Sequence, residues 1–231
     1  MTRKLKGTFV GKYIGDLIYG ANDGIITTFA IIAGTQGAGF SPVVTIVLSF
    51  ANLFADGLSM GVSDFLGIKS EKYYADSIKA KEKWEIDHDK PHALAEIREV
   101  FASRGFTGKD LDRAVEIVSS NKKAWLETMV RDEEGVIDDP RDDPRKHGFA
   151  TFSAFVTIGF IPLLVYLTPL PIDRFTSATI VAASTLFIVG ALRTYVTAVS
   201  WLRGGLEMLI VGSVTGVVAY LVGTFAESFI R

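Results

Sequence analysis

Two acidic patterns in the sequence could do chemistry, and they sit in opposite surroundings. The first begins with Asp23 in "DLIYGANDGIITTFA" (16–30), after which no Asp, Glu, Lys or Arg occurs until Asp56. An ionised carboxylate at membrane depth costs roughly 2.5–3.5 kcal/mol even on a lenient insertion scale, so such a residue marks a polar cavity, a cation or a proton. Asp16 falls on nearly the same helical face, and Gly15, Gly20 and Gly24 around it allow another helix to approach. The next apolar segment carries a matching stripe, Asn52, Asp56, Met60 and Asp64, at four-residue spacing. Oxygen donors with a thioether suit a borderline cation such as ferrous iron better than magnesium. A protonated Asp23 serving as interhelical glue, with Met60 as packing, is the competing reading of the same residues.

The second pattern lies in a charged stretch. Glu82 and Glu85 are three residues apart, as are Glu96 and Glu99, while Met129 and Glu133 are four apart. Each pair projects from one face of a helix. Three such helices meeting would form a carboxylate-rich site for a divalent transition metal. Solvated charged helices show the same spacing, so on spacing alone both readings stand. His88 and His92 are also four apart, but Pro91 between them breaks a helix, which favours a surface role for both.

The elements that must position these residues follow from how charge is distributed. Of 50 Asp, Glu, Lys and Arg residues, 35 lie between Lys69 and Lys146. Gly24 to Ala55 is uncharged, too long for one span of roughly 20 residues, and is broken at "GTQGAGFSP" (34–42). Helix one is expected over about 14–34 and helix two over about 42–68. The uncharged windows Gly148 to Ile172, Phe175 to Leu192 and Met208 to Ala226 each hold one more span. The fold class is therefore an all-α membrane protein of five transmembrane helices. Its expected domains are 1–68 (tail and helices one and two), 69–146 (a helical domain) and 147–231 (helices three to five). Helix two is expected to continue through "KSEKYYADSIKAKEKWEIDHDK" as one rod. "HALAEIREVFAS" forms a second helix of the insert, and a third starts near Thr107 or Asp110. "DDPRDDPRKHG" is expected to be a polar linker back to the membrane.

Arg3, Lys4, Lys6 and Lys12 at the N-terminus, and Arg193 and Arg203 before helix five, orient the N-terminus and the insert toward the cytoplasm. No cysteine is present, which excludes disulfides and thiolate metal sites. A net charge of −2 gives no footprint for nucleic acid. No phosphate-binding "GxxxxGK[ST]" occurs, so transport would run on an ion gradient or the metal gradient.

"GANDGIITTFAIIAG", "DGLSMG" followed by "KSE", and "AWLETMVRDEEG", in that order around the helical insert, resemble the vacuolar iron transporter family over nearly the whole chain. The resemblance implies a homodimer that moves ferrous iron, and often manganese, out of the cytosol in exchange for protons. The path would run along the dimer interface between the first two helices. It implies transport-path roles for Asp23 and Met60, and metal-binding roles for Glu82, Glu85, Glu96, Glu99, Met129 and Glu133 of a cytoplasmic metal-binding domain. The position of a second methionine common in the plant-type pattern is Val130. Where the pattern has a helix-two glutamate this chain has Asn52, and Asp56 one turn later is expected to supply the missing carboxylate, since Asn ligates through its carbonyl but releases no proton.

The expected function is thus a divalent-metal transporter, not an enzyme. Fe2+ or a similar cation is its substrate, no cofactor is tightly bound, and metal ions, protons, the bilayer and a second copy are its partners. A compact multi-pass chain is expected in a prokaryotic cell membrane. Two rivals are an intramembrane aspartyl protease using Asp23 and Asp56, and a metal-storing or metal-sensing membrane protein. The protease lacks its GxGD motif, since "GAND" has Asn at the second glycine.

Overall fold

A computed structural model describes residues 9–136, 142–168, 173–195 and 200–230, which form helices joined by short turns, with no strand among them. The order is α1 (Phe9–Lys12), α2 (Ile14–Gly37), α3 (Pro42–His88), α4 (Lys90–Ser103), α5 (Gly108–Ser119), α6 (Lys122–Thr128) with a π-helical turn at Met129–Glu133, α7 (Pro144–Leu167), α8 (Arg174–Leu192) and α9 (Trp201–Ile230). Five helices are long and apolar enough to cross a membrane: α2, α3, α7, α8 with the turn that follows it, and α9. The chain divides into two compact units, Met1–Phe65 with Pro144–Arg231, and Leu66–Asp143. The basic Arg3, Lys4 and Lys6 and the linker residues 137–141 lie outside the described residues.

In the membrane unit the break between the first two spans follows from local chemistry. Gly39 takes a positive φ of 66°, a conformation that costs other residues a steric clash. The amides of Ala38 and Phe40 close back onto the carbonyls of Gly34 and Thr35. Pro42 then opens α3, where its missing N–H costs nothing. Thr45 Oγ1 donates to Thr35 Oγ1 at 2.9 Å and ties the two helices together.

Helix α7 packs against both of them through glycines. A side chain at Gly24 would run into the Phe155 backbone, and one at Gly61 into the carbonyl of Gly148. Both close approaches therefore require glycine. Gly20 meets Thr151 and Ala154 in the same way, whereas a side chain at Gly15 would meet nothing within 4 Å among the described residues. The core combines Ile32, Leu163, Val165, Tyr166 and Ala178 with Ile25, Phe29, Ala182 and Leu186. Large apolar side chains remain on the outside, Phe54, Leu58 and Val62 of α3 and Val214, Val217 and Val218 of α9 among them. A lipid-facing helix presents such a surface.

The second unit has a water-type core of Ile86, Ala93, Ile97, Phe101, Val115, Trp125 and Met129. Helix α3 continues without interruption to His88, as the run of helix formers predicts. Asp89 caps α4, accepting from the His92 amide at 3.3 Å, with Pro91 in the first turn. Asn121 caps α6 by accepting from the amides of Lys123 and Ala124. The expected linker "DDPRDDPRKHG" ends sooner than its composition suggests. Pro144 already opens α7, so Arg145, Lys146 and His147 are helical, in line with the preference of proline for a first helical turn.

Candidate functional site

The densest convergence of titratable groups is in the second unit. Glu82 lies one turn before Ile86 on α3, so the turn that buries Ile86 in the core also draws Glu82 inside, to 1% exposure. Glu85 projects beside it. On α4, Ala93 and Ile97 are fully buried, and that orientation sets His92 and Glu96, one turn apart, along the flank of the core. The π-helical turn closes with the Glu134 amide donating to the Met129 carbonyl at 3.2 Å, and π turns of this kind recur at functional sites. It buries Met129 and directs Glu133 at the other glutamates.

Carboxylate oxygens of Glu82, Glu96 and Glu133 come within 4.8 Å of one another, as do ligand atoms of Glu85, His92 and Glu96. Glu96 belongs to both groups. One oxygen each of Glu82, Glu85 and Glu96 is buried without a hydrogen-bond partner among the described residues. Leaving such an atom unsatisfied costs about 1–3 kcal/mol, more when charged.

One lysine among the described residues, Lys81, reaches these glutamates. Its Nζ lies 3.2 Å from Glu82 Oε1 and 3.1 Å from Glu134 Oε1, and 3.9 Å from Glu85 Oε1. These contacts, that to Glu134 foremost, raise the ammonium's pKa. One lysine does not balance this many carboxylates. Burial, and then the charges of Glu96, Glu82 and Glu134, push Glu133 up to about 7. Glu82 and Glu96 are also shifted upward, burial being the larger cause in both. Crowding of this kind disfavours full ionisation and is relieved by a proton or a cation.

Of the six insert residues expected from sequence, the clusters contain Glu82, Glu85, Glu96 and Glu133. Glu99 is exposed on α4 and belongs to neither cluster. Met129 is fully buried in the hydrophobic core. His92, expected on the surface, belongs to a cluster although it is exposed. Pro91 does end the helix carrying His88, but it starts the next one and thereby sets His92 above Glu96. The signal was present as "DKPHALAE", an Asp cap followed by a first-turn proline. Lys81 was also missed, since nothing in its spacing separates it from neighbouring lysines.

In the membrane unit, Asp23 and Asp56 are close enough to interact electrostatically. Asn52 Nδ2 donates to Asp56 Oδ2 at 2.7 Å, within one turn of α3. Asp23, Asn52, Asp56 and Met60 are all half-buried. Asp64, on the same stripe, instead accepts from Thr151 Oγ1 at 2.6 Å, and Asp16 pairs with His147 Nδ1 of α7 at 2.8 Å. The Tyr13 ring stands edge-on to His147, centroids 4.7 Å apart. Asn22 Oδ1 and Ser49 Oγ are buried with no partner among the described residues. The sequence stripe thus splits into Asn52, Asp56 and Met60 near Asp23, and Asp64 engaged with α7.

Five apolar spans, with a carboxylate-dense helical insert between the second and third, define a multi-pass helical membrane protein with two separate acidic centres. The chain belongs to the VIT family, whose model matches residues 14–224. It is 30% identical to a vacuolar iron transporter of Plasmodium falciparum, over 92% of this chain and 81% of that protein. It is 31% identical to vacuolar iron transporter 1 of Arabidopsis thaliana, over 91% of this chain and 84% of that protein. These relatives are named as transporters, not as enzymes.

Proposed function

We propose that the protein carries ferrous iron, and manganese as a second substrate, out of the cytosol in exchange for protons. The observation that carries this reading is the set of buried glutamate oxygens on Glu82, Glu85 and Glu96 without a partner among the described residues, clustered with Glu133. Such an arrangement is costly unless a cation enters it, and the family's named members handle iron. The insert serves as the capture site on the cytosolic side, consistent with the basic residues near the N-terminus and before α9. Metal is the substrate here, not a resident cofactor.

Asp23, Asn52, Asp56 and Met60 line the path through the membrane. Their half-buried state supports a second copy of the chain. On α3 the exposed residues flanking this stripe are the small Ala55, Ser59 and Ser63, and carboxylates on a lipid-facing surface are expensive. Two-fold association would enclose both Asp23 carboxylates in a shared polar path. Protons from the far side neutralise the carboxylates and release the cation, with Asp56 supplying the proton chemistry that Asn52 cannot. In liposomes with an outward-facing insert, the protein is expected to load Fe2+ under an inward-acidic pH gradient. Failure with Fe2+, Mn2+ and Co2+ alike would overturn the transport reading.

A further inference from the structure

We propose that His92 is a metal ligand of the insert and that its nitrogen sets the site's preference toward later transition metals. The inference rests on reading the glutamate cluster as a metal site and adds a donor of a different kind. His92 Nε2 lies 3.0 Å from Glu96 Oε1, and with Glu85 these groups bring three ligand atoms within 4.8 Å. Neighbouring ligands at right angles on a first-row cation, each about 2.1 Å from it, are about 3.0 Å apart. The separation that now holds a proton or ion pair is therefore also the bite of a metal.

Position and surroundings support the assignment. Asp89 and Pro91 fix the first turn of α4, so the imidazole is carried on a capped helix rather than a loop. Glu85 and Glu96 each keep a buried oxygen with no partner among the described residues. The adjoining group shares Glu96 and contains Glu82, which is 1% exposed and likewise has an unpartnered oxygen. That buried, unsatisfied oxygen points to a cation at the adjoining group, which is joined to His92 through the shared Glu96. His88 is not equivalent, because its Nδ1 is 2.9 Å from the Trp84 carbonyl and its ring stacks on Trp84.

The chemical consequence is selectivity. An all-carboxylate site favours Mn2+, Mg2+ and Ca2+, whereas imidazole favours Fe2+, Co2+, Ni2+ and Zn2+. The mixed site prefers the second group, and His92 is exposed enough for a cation to reach it from solvent.

The test uses the full chain in lipid nanodiscs, titrated with Co2+ and with Mn2+ by calorimetry. His92→Gln is expected to weaken Co2+ binding by at least about tenfold and Mn2+ binding far less. His92→Glu should restore affinity while moving the preference toward Mn2+. Pulsed EPR on the Mn2+-loaded protein should show 14N modulation from coordinated imidazole, lost in His92→Gln and kept in His88→Gln. Equal weakening of both metals, or 14N modulation that survives in His92→Gln, would overturn the role of His92 while leaving the carboxylate site intact. Wild-type protein that binds neither metal would overturn the site reading itself.

Discussion

The membrane unit and the insert each gather carboxylates, and they treat them in opposite ways. Of the four aspartates that α2 and α3 bring to the membrane unit, three have a dedicated partner of ordinary chemistry: Asn52 for Asp56, Thr151 for Asp64 and His147 for Asp16. Asp23 alone has no side-chain donor among the described residues, and the charge it faces is another carboxylate. In the insert, among the described residues, the glutamates face one another, share one lysine and leave three buried oxygens unpaired. Charges matched singly can be held at low dielectric and released without collapse of the helices. Charges crowded together bind cations avidly and release them reluctantly. On the proposed function, the contrast is that of a conduit with a collector.

The widest separation between the two comes from removing one carboxylate from each. Asp23→Asn is expected to cut metal flux on the order of 100-fold, equivalent to about 2.7 kcal/mol on the barrier, with metal binding to the insert unchanged. Glu82→Gln should do the reverse. It lowers the affinity of the insert by roughly tenfold or more and raises the metal concentration for half-maximal flux, while the maximal rate holds. Liposome flux and calorimetry on the same preparations read both quantities. If Asp23→Asn lowered insert binding, or Glu82→Gln abolished the maximal rate, the division of labour would fail.

This division was only partly written in the primary structure. The five spans follow from uncharged windows, and the unbroken α3 follows from a run of helix formers with no Gly or Pro between Gly67 and Pro91. Four of the six insert residues singled out by spacing and resemblance converge. Glu99 does not, because Ala93, Ile97, Val100 and Phe101 fix which side of α4 is buried, and Glu99 falls on the other side. The four-residue stripe on α3 looks uniform in sequence, yet Asp64 lies where α7 presents Thr151, and Asp56 does not. Contacts between residues 64 and 151, or 16 and 147, join distant segments through α7, and no local periodicity encodes them. The same holds for Lys81, whose role depends on Glu134 arriving from 53 positions away.

A second, smaller effect separates the two regions by pH. Glu133 holds its proton up to about 7, so metal must displace a proton below that pH. Insert affinity is expected to fall by up to about tenfold per unit as pH drops from 7 to 5, one proton being released per cation bound. Stability of the metal-free insert should move the other way. Glu82, Glu96 and Glu133 have pKa values above those of the unfolded chain. Their contribution is therefore complete below about 4.5 and lost as pH rises toward 7. Hydrogen-exchange protection in α4 and α6 of the metal-free protein, taken relative to the intrinsic rate at each pH, should accordingly be greater at pH 5 than at pH 8, and excess Co2+ at pH 8 should restore it. Protection that grows with rising pH in the absence of metal would contradict the crowding of these groups.

The smallest expected effect tests whether the membrane carboxylates themselves divide into working and structural members. Thr151 is fully buried and donates to Asp64, at a level where Gly61 and Gly148 bring α3 and α7 into backbone contact. Thr151→Val keeps the shape and removes the donor, leaving Asp64 unsatisfied at a cost of about 1–3 kcal/mol. For a chain of this size that corresponds to a drop in Tm of roughly 2–4 °C for each kcal/mol. If Asp64 only fastens α3 to α7, flux under a pH gradient should change less than about twofold, a barrier change near 0.4 kcal/mol. Asp64→Asn, which keeps an acceptor for the Thr151 hydroxyl, should then cost less stability than Thr151→Val and leave flux intact as well. If Asp64→Asn instead lost flux as Asp23→Asn does, the whole stripe from Asn52 to Asp64 would belong to the conduit, and the Thr151 hydrogen bond would be a contact that transport has to break.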